Sequence, residues 1–507
     1  MTQTNKLESI RLLCGSIYLG GFWRGLSILG YLRRDQYKAK SPETGLDLDE
    51  VATHAAQAVA ISLAAAILAV AIGILQLALL GLVGVATTRY WGATSEASRD
   101  FWQFLIGFLG FAQIVFTLTG GGIIAYELIY WRWTNGRRFL KRFYNPQFHL
   151  KFLAPLTNFL KQRIMEPEPK QNIITFGGFE PFLGAGETIN GGWTLCIERQ
   201  NTTQPRKIID IPLQNFYDTI DKSIGDRGLP HLQQFSHLLV NGYELQSDSH
   251  ILPQQKMRPV ATLSEAEIWA IGHGNLEKDQ RTYRIYRYTD ETRGMVFSYF
   301  IRFYNLGMIT FVEGTPCILN SIDRHRFSLA AALKDNTFSR ILKTIGLALI
   351  LSISGLYAAV ALWRLFLFVY RLVSWWLLDV RQGRAARWGE EYNYGLSKTF
   401  RETIAAPIFQ NYYGIQDLIM YKKTIEEAIF DGIVTLLKEN GVDTTQFETN
   451  ANIVMNNGVM VNGGQFTATQ VTAGQGSASI MNTTPEKQRG RTQQLVHSVI
   501  NRVVPGQ

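Results

Sequence analysis

Long runs without charge dominate the hydrophobic pattern of this chain. From Val51 to Thr88 there is no Asp, Glu, Lys or Arg, and a second apolar run extends from Phe101 to about Tyr126. A third run lies at Thr344–Trp363. Because about 20 apolar residues cross a bilayer, each run predicts one membrane-spanning helix, and the first two should form a helical hairpin.

Basic residues orient this predicted hairpin. They are frequent before Val51 and after Arg132, but only Arg89 and Arg99 lie in the loop between the spans. The positive-inside rule therefore places the N-terminus and the region after the second span in the cytoplasm. The third run has basic residues on both sides, so it either crosses once or returns through Leu365–Val380 as a membrane-entering or interfacial helix. The return is preferred because it keeps the arginines and the C-terminus inside.

The first 50 residues predict soluble helices, because apolar residues recur at helical spacing and arginines occupy the other faces. Gly20 and Gly21 are expected to divide this region into two helices. Arg24 argues against a membrane span here. No ionisable residue lies deep in the first two spans, which counts against an ion-coupled transporter, and Glu127 with Arg132 is predicted to be interfacial.

Residues 170–340 have the pattern of a β-rich soluble domain. Seven segments predict strands: NIITF, WTLCIE, KIIDIP, HLLVNG, YRIYRY, MVFSYFIRF and GMITFVEG. Helices are predicted near 213–225 and 322–340, and a hairpin turn at Asn305–Gly307. The predicted fold is a membrane protein with α-helical spans and a cytoplasmic α+β domain whose sheet is mainly antiparallel.

An amphipathic helix is predicted from about Ile415 to Asn440, with Lys422 and Glu426 as i,i+4 partners on its polar side. Its apolar face is the predicted self-association surface, formed by Leu418, Ile425, Ile429, Ile433 and Leu436.

The charge-free tail at 449–485 is rich in Asn, Gln and Gly. Turn signals flank a short strand whose Val459 and Val461 are further self-association candidates. Such a segment can stack between copies as cross-β structure, and a flexible linker is an equal alternative.

The predicted boundaries are 1–50 for the N-terminal helices, 51–131 for the hairpin, 132–169 for a basic juxtamembrane segment, 170–340 for the α+β domain, 341–380 for the third membrane segment, 381–448 for a C-terminal helical region, 449–485 for the tail and 486–507 for a terminal segment.

The net charge of +9 is concentrated after the second span. Between Arg132 and Lys170, nine Lys or Arg residues face only Glu166 and Glu168. Anionic lipid headgroups are the predicted partners, and nucleic acid is not expected because no nucleic-acid-binding signature accompanies the charge. The three cysteines lie far apart and indicate neither a disulfide framework nor a zinc site.

No catalytic constellation is recognisable in the sequence. There is no GxSxG, HExxH or paired-carboxylate motif, and four histidines between His231 and His273 lack ligand spacing. We therefore predict no catalytic residues, no cofactor and no metal.

The stretch FGGFEPFLGAGETINGGW at 176–193 is the one candidate ligand loop. It lacks the GK[ST] of a phosphate loop, Glu187 would repel a phosphate, and Ile189 stands where a dinucleotide fingerprint needs glycine. A structural turn pinned by Phe176, Phe179, Phe182 and Trp193 is favoured over an anion or flat-ligand site. The candidate residues are Phe176, Gly177, Gly178, Pro181, Phe182, Gly184, Gly186 and Trp193.

Several pieces together resemble a largely uncharacterised family of membrane proteins from actinobacteria and related bacteria. They are RLLCGSIYLGGFWR, GLDLDEVATHA, FGGFEPFLGAGE, FVEGTPCIL, the helix GIQDLIMYKKTIEEAIFDGIVTLLKENGVDTTQF and the tail NNGVMVNGGQFTATQVTAGQGS. The resemblance implies membrane spans with cytoplasmic domains and carries over no catalytic residue. Glycine-rich tails of this kind also occur on bacterial conflict and defence proteins.

These patterns predict a multi-pass protein of the bacterial inner (plasma) membrane. A non-enzymatic sensor or effector that self-assembles as a homo-oligomer, in a stress or phage-defence response, fits them best. The alternatives are an oligomeric channel or transporter, and a membrane-tethered receptor or enzyme for a small molecule.

Overall fold

The structure is a computed structural model of the 507-residue chain. It describes residues 8–33, 37–40, 42–140, 154–161, 171–189, 192–199, 209–247, 250–253, 258–274, 279–323, 336–388, 392–407, 409–456, 460–462 and 465–467.

The helices are α1 (Glu8–Leu32), α2 (Leu48–Trp91), α3 (Glu96–Ala125), a π-helical segment (Tyr126–Trp131), α4 (Arg132–Leu140), α5 (Ala154–Lys161), α6 (Leu213–Asp226), α7 (Glu265–Gly274), α8 (Thr337–Ser354), α9 (Leu356–Trp388), α10 (Phe400–Ile404), α11 (Tyr412–Glu439) and α12 (Thr445–Asn456). The strands are β1 (Ile173–Phe176), β2 (Glu187–Thr188), β3 (Trp193–Glu198), β4 (Leu232–Asn241), β5 (Gln280–Asp290), β6 (Met295–Leu306), β7 (Ile309–Leu319), β8 (Met460–Asn462) and β9 (Gln465–Thr467).

The described residues divide into two compact units. The first takes its residues from Met1–Glu187, Leu229–Arg302 and Cys317–Leu418, and the second from Thr188–Gly228, Phe303–Pro316 and Ile419–Gln507. The predicted domain 170–340 therefore contributes to both units, because β6 and β7 each continue from one unit into the other.

Among the described residues, five helices are long and apolar enough to cross a membrane: α1, α2, α3 with its continuation to Leu140, α8, and α9 to Ala386. The first predicted run is one helix, α2, as expected. The third predicted run is not one helix. α8 ends at Ser354, Gly355 adopts a left-handed conformation with φ of 67°, and α9 begins at Leu356.

The α8–α9 hairpin packs with α8 against α3 and α9 against α2. Its tip lies beside Gln76, which accepts a hydrogen bond from the Tyr357 hydroxyl. α2 continues 15 residues past Gln76 to Trp91, or about 22 Å at 1.5 Å per residue. The hairpin thus covers only part of the length of α2 and α3.

α1 packs against α2. Tyr18 reaches His54 and Gln57, with Oη 2.9 Å from His54 Nδ1 and 3.0 Å from Gln57 Oε1. Seven residues later, Gly25 lies against Ala55 and Val59. α1 therefore contacts α2 with both of its halves. The backbone of Gly21, with φ of 54°, kinks it where the sequence predicted a break.

Both ends of α1 contact the sheet-bearing part of the first unit. Near its start, Ser9 packs on Gly294 in the turn between β5 and β6. Near its end, the Tyr31 hydroxyl lies 2.7 Å from Thr403 Oγ1, and its ring stacks near Phe400. α1 therefore bridges the bundle and the sheet.

The sheet is mixed and mostly antiparallel. In the first unit β4 pairs antiparallel with β5 and β5 with β6, whereas β1 runs parallel to β4 in the register Ile173 with Leu238. Of the predicted strand KIIDIP, residues 209–212 form no strand, and Lys207 and Ile208 lie outside the described residues. The predicted hairpin turn is confirmed at Gly307, whose φ is 57°.

In the second unit β3 pairs antiparallel with β7, and α6 packs against α11. Ser223 Oγ donates to the Ala428 carbonyl at 2.8 Å, and Gly432 gives α6 close access. The sequence predicted that Lys422 and Glu426 lie on the polar side of this helix, but the structure buries both residues. They form a buried ion pair with a distance of 2.6 Å.

Candidate functional site

A buried charge cluster lies where α2, the π-helical segment and α9 meet. Glu127 is 3% exposed, and its carboxylate accepts three hydrogen bonds. Ser62 Oγ donates to Oε1 at 2.6 Å, Arg132 Nε donates to Oε1 at 3.0 Å, and Arg364 Nη1 donates to Oε2 at 2.8 Å. Glu127 is therefore buried among protein side chains, and its position at the membrane interface stays a prediction.

The π-helical segment explains how Glu127 and Arg132 meet. They lie five residues apart, which is the hydrogen-bond spacing of a π-helix. In an α-helix, a residue five positions on would project about 140° away, given 3.6 residues per turn. The wider turn brings both side chains to the same side. Short π-helical insertions are frequent at functional sites.

The cluster holds two guanidinium groups and one carboxylate, so it carries one excess positive charge. Nη2 of Arg132 is buried and has no hydrogen-bond partner among the described residues. The kink of α1 lies directly on this guanidinium, because a Cβ on Gly21 would overlap Arg132 Nε. A buried charge that lacks a partner of opposite sign costs free energy.

A second set of polar side chains lies where the tip of the α8–α9 hairpin meets α2 and α3. Gln76 Nε2 donates to Thr117 Oγ1 at 2.5 Å, and Tyr357 donates to Gln76 Oε1. Gly120 leaves room for the Tyr357 ring, and Gly121 leaves room for Ser352. The two glycines thereby allow the hairpin tip to pack closely on α3.

The glycine stretch holds a carboxylate from its own chain. Gly184 and Gly186 have φ of 82° and 88°, and their amides donate to Glu402 Oε1 at 2.7 and 3.2 Å. Glu402 Oε2 also accepts from the Thr399 amide at 2.7 Å, which completes a capping box on α10. The backbone of this loop can bind an anion, as the glycine pattern suggested. Here Glu402 occupies those amides.

The α1–α2 loop is tied to the same point. Glu43 accepts hydrogen bonds from the Phe400 and Arg401 amides, both at 2.8 Å. Arg401 is 1% exposed and donates to the carbonyls of Gly294 and Asn320. Burial lowers the pKa of Arg401 to about 10, although nearby carboxylates raise it. α10 therefore joins the helical region to the sheet within the first unit.

The four aromatic residues that were predicted to fix the glycine stretch differ in their contacts. Phe176 ends β1, and Phe182 packs on Phe300 with ring centroids 4.7 Å apart, so both help to fix the loop. Phe179 is 99% exposed and pins nothing, which contradicts the prediction. Trp193 belongs to the second unit and packs on Phe430 at 5.0 Å.

The other candidate residues of the loop serve its backbone. Gly177 donates its amide to the Leu396 carbonyl at 2.8 Å and lies against Asn393. Gly178 lies near Ser397, and the Pro181 carbonyl accepts from the Leu183 amide at 2.8 Å.

The predicted self-association face of α11 is inside the protein. Its five apolar residues are at most 5% exposed: Leu418, Ile425, Ile429, Ile433 and Leu436. The apolar stripe that would attract a second copy is covered by the chain itself, so assembly through this face would first require it to open. Val459 lies outside the described residues, and for Val461 the structure gives only its place in β8. Most of the basic segment 132–169, the tail after 467 and residues 486–507 also lie outside them.

The described residues contain no group of three or more His, Cys, Asp or Glu side chains placed to hold a metal. Of the histidines, His237 is buried in β4, where burial and the charge of Arg287 lower its pKa to about 3. Its Nδ1 has no hydrogen-bond partner in the described part of the chain.

Comparison with known families gives one match. The model of the AbeC-like domain, an uncharacterised family, matches residues 193–468, more than half of the chain. The matched region includes the α8–α9 hairpin and most of the described part of the second unit, and it begins at Trp193, the last residue of the glycine stretch. No curated protein and no solved structure matches the chain. The chain belongs to the AbeC-like domain family.

Proposed function

We propose that this protein is a multi-pass sensor or effector of the bacterial inner membrane, in which the sheet-bearing part and the membrane-spanning helices are coupled through α1 and the Glu127 cluster. The apolar surface of α2 and α3 supports the membrane placement. Large apolar side chains are exposed from Ile67 to Val85 on α2 and from Phe101 to Leu118 on α3. The segment Ile67–Trp91 is about 36 Å long, which suits a hydrocarbon core of about 30 Å with its interfaces.

In this placement α2 and α3 cross the bilayer, and the α8–α9 hairpin enters it from the cytoplasmic side. Its tip at Gln76 lies nine residues, or about 14 Å, above Ile67, which is near the middle of the bilayer. Both ends of the hairpin then remain on the cytoplasmic side, in keeping with the basic residues that flank it. α1 lies across the base of the bundle, since both its ends contact the sheet-bearing part.

The contacts of α1 support the proposed coupling between the sheet-bearing part and the membrane-spanning helices. The kink of α1 rests on Arg132, a member of the cluster that joins α2, the π-helical segment and α9, while the ends of α1 rest on the sheet and α10. A shift of α1 or α10 would therefore change the packing around a buried, incompletely neutralised charge. Interiors this close-packed respond by switching between arrangements, because they deform little.

A cysteine-accessibility experiment tests the coupling. Ile129, a partly exposed residue two positions from Glu127 in the π-helical segment, is replaced by cysteine in a chain whose three native cysteines are changed to alanine. Glu43→Gln then removes the carboxylate that accepts hydrogen bonds from the Phe400 and Arg401 amides at the start of α10. We expect the rate of maleimide modification at Ile129→Cys to change at least about fivefold, which corresponds to about 1 kcal/mol of coupling.

The matched control is Glu96→Gln, which alters an exposed carboxylate at the start of α3. Size-exclusion profiles establish that each variant remains folded. Equal modification rates in the parent, Glu43→Gln and Glu96→Gln proteins would refute the coupling. Labelling of an added C-terminal tag in intact and permeabilised cells tests the topology separately, with the tag expected to be protected in intact cells.

An oligomeric channel is the second candidate, favoured by the polar group at the hairpin tip. Gln113 Oε1 and Ser352 Oγ are buried there without partners among the described residues, and such atoms within a bilayer call for water or a polar partner. Homo-oligomeric assembly and a role in stress or phage defence remain parts of the proposal. Because the α11 face is buried, assembly would use other surfaces or the tail. Single-channel recording of the reconstituted protein distinguishes this candidate.

A further inference from the structure

A cavity of about 470 Å³ lies in the groove between α2 and α3, on the sides of these helices away from the α8–α9 hairpin. Its walls are Ile61, Ala64, Ala65 and Leu68 from α2 and Thr119, Gly122 and Ile123 from α3. Tyr126 and Trp131 line one end, and Glu127 is the one charged side chain in the lining. The small residues at 64, 65 and 122 create the space between the helices.

We propose that this groove is a binding site for one acyl chain of a bilayer phospholipid. The site rests on the membrane placement proposed above. It opens away from the bundle, since Leu68 and Tyr126 are each about half exposed, at 51% and 50%. These residues adjoin the exposed apolar surface of α2 and α3, so the neighbour of the groove in a membrane is lipid.

The chemistry of the walls selects an apolar chain. The lining is mostly apolar, and its one charged side chain, Glu127, already accepts three hydrogen bonds from Ser62, Arg132 and Arg364. The aromatic rings of Tyr126 and Trp131 are of the type that lies at the headgroup level of a bilayer. The acyl chain then runs from these rings toward the bilayer centre along Ala65 and Gly122.

The position of the groove means that a bound lipid would contact the Glu127 cluster. An acyl chain that fills it packs against the helix turn that carries Glu127, on the side opposite Arg364. Filling or emptying the groove would thus bear on the same charge cluster that couples α1 to the bundle. Lipid is in this sense a ligand of the proposed sensor.

Two glycines of α3 provide a matched test. A Cβ at Gly122 or at Gly110 would meet nothing within 4 Å, so both positions have open space where a leucine side chain would start, but only Gly122 lines the groove. The wild-type protein and the variants Gly122→Leu and Gly110→Leu are expressed in bacteria, purified in detergent with an extended wash, and analysed for retained phospholipid by mass spectrometry.

We expect about one phospholipid per chain in the wild-type and Gly110→Leu proteins, and at least a tenfold loss in Gly122→Leu, equivalent to about 1.4 kcal/mol of affinity. Thermal unfolding profiles show whether each variant is folded. Equal retention in all three proteins would overturn the proposal, as would a phospholipid-free wild-type dimer that Gly122→Leu converts to a monomer. Neither result affects the coupling measured with Glu43→Gln, so the two proposals fail separately.

Discussion

The Glu127 cluster provides the sharpest prediction. Glu127→Gln keeps the shape of the side chain but removes its negative charge, so two buried guanidinium groups lose their common carboxylate. In addition, the new amide NH₂ must face a donor from Ser62, Arg132 or Arg364, because all three donate to the present carboxylate. Removing one partner of a buried ion pair costs roughly 3–5 kcal/mol, and we expect a loss in the free energy of unfolding within that range.

A double-mutant cycle separates this effect from simple loss of packing. Arg364→Leu removes one of the two positive charges, so the double variant Glu127→Gln/Arg364→Leu holds one uncompensated guanidinium instead of two. Its destabilisation should fall short of the sum of the single effects by roughly 1–3 kcal/mol, as for residues of one network. The free energies are measured by denaturant unfolding of the protein in lipid nanodiscs.

Glu96→Gln is the control, since Glu96 is exposed and should change stability by no more than about 0.5 kcal/mol. The reasoning fails if Glu127→Gln falls within that same small range. It also fails if the single effects add within about 0.5 kcal/mol, because the three side chains would then act independently.

Three further predictions concern the elements around the cluster. Gly21→Ala should destabilise the protein by about 2 kcal/mol or more, because Gly21 has a glycine-only backbone conformation and a Cβ would overlap Arg132; thermal unfolding measures this. Glu402→Gln should cost roughly 1.5–3 kcal/mol, since a charged acceptor of three amides is lost, and should speed hydrogen exchange at the glycine stretch. Stability should fall below pH 6.5 at up to about 1.4 kcal/mol per pH unit from His237, whose pKa is about 3 when folded.

The sign of the last effect follows from proton binding. The unfolded chain takes up a proton on His237 below its ordinary pKa, while the folded chain does not until about pH 3, so acid favours unfolding between these values. His237→Gln should reduce this slope, and His231→Gln, at an exposed position, should leave it unchanged. Gly346→Ala is the control for Gly21→Ala, and Glu439→Gln is the control for Glu402→Gln. A loss of stability no larger than that of the matched control would contradict the role given to Gly21 or to Glu402.

The hydrophobic pattern of the sequence predicted those helices whose formation depends on local composition. α2 is a single helix because nothing in its 44 residues interrupts an apolar, helix-favouring run, and α11 has the expected apolar stripe. The strands β3 to β7 follow from β-branched and aromatic segments for the same reason. The break at Gly355 was not predicted, because one glycine in an apolar run is compatible with a continuous helix until a neighbouring helix stabilises the turn.

At the candidate site too, some features could be predicted from the sequence and others only from the tertiary structure. The sequence by itself determined which segments are apolar, where charge accumulates, and that the glycine stretch lacks the chemistry of a phosphate loop. Only the tertiary structure decided that Glu402, more than 200 residues away, fills the amides of that stretch, and that Arg364 from α9 joins Arg132 on Glu127. Contacts of this kind depend on which elements pack together, and a pattern read along the chain holds no record of partners that folding brings close from distant positions.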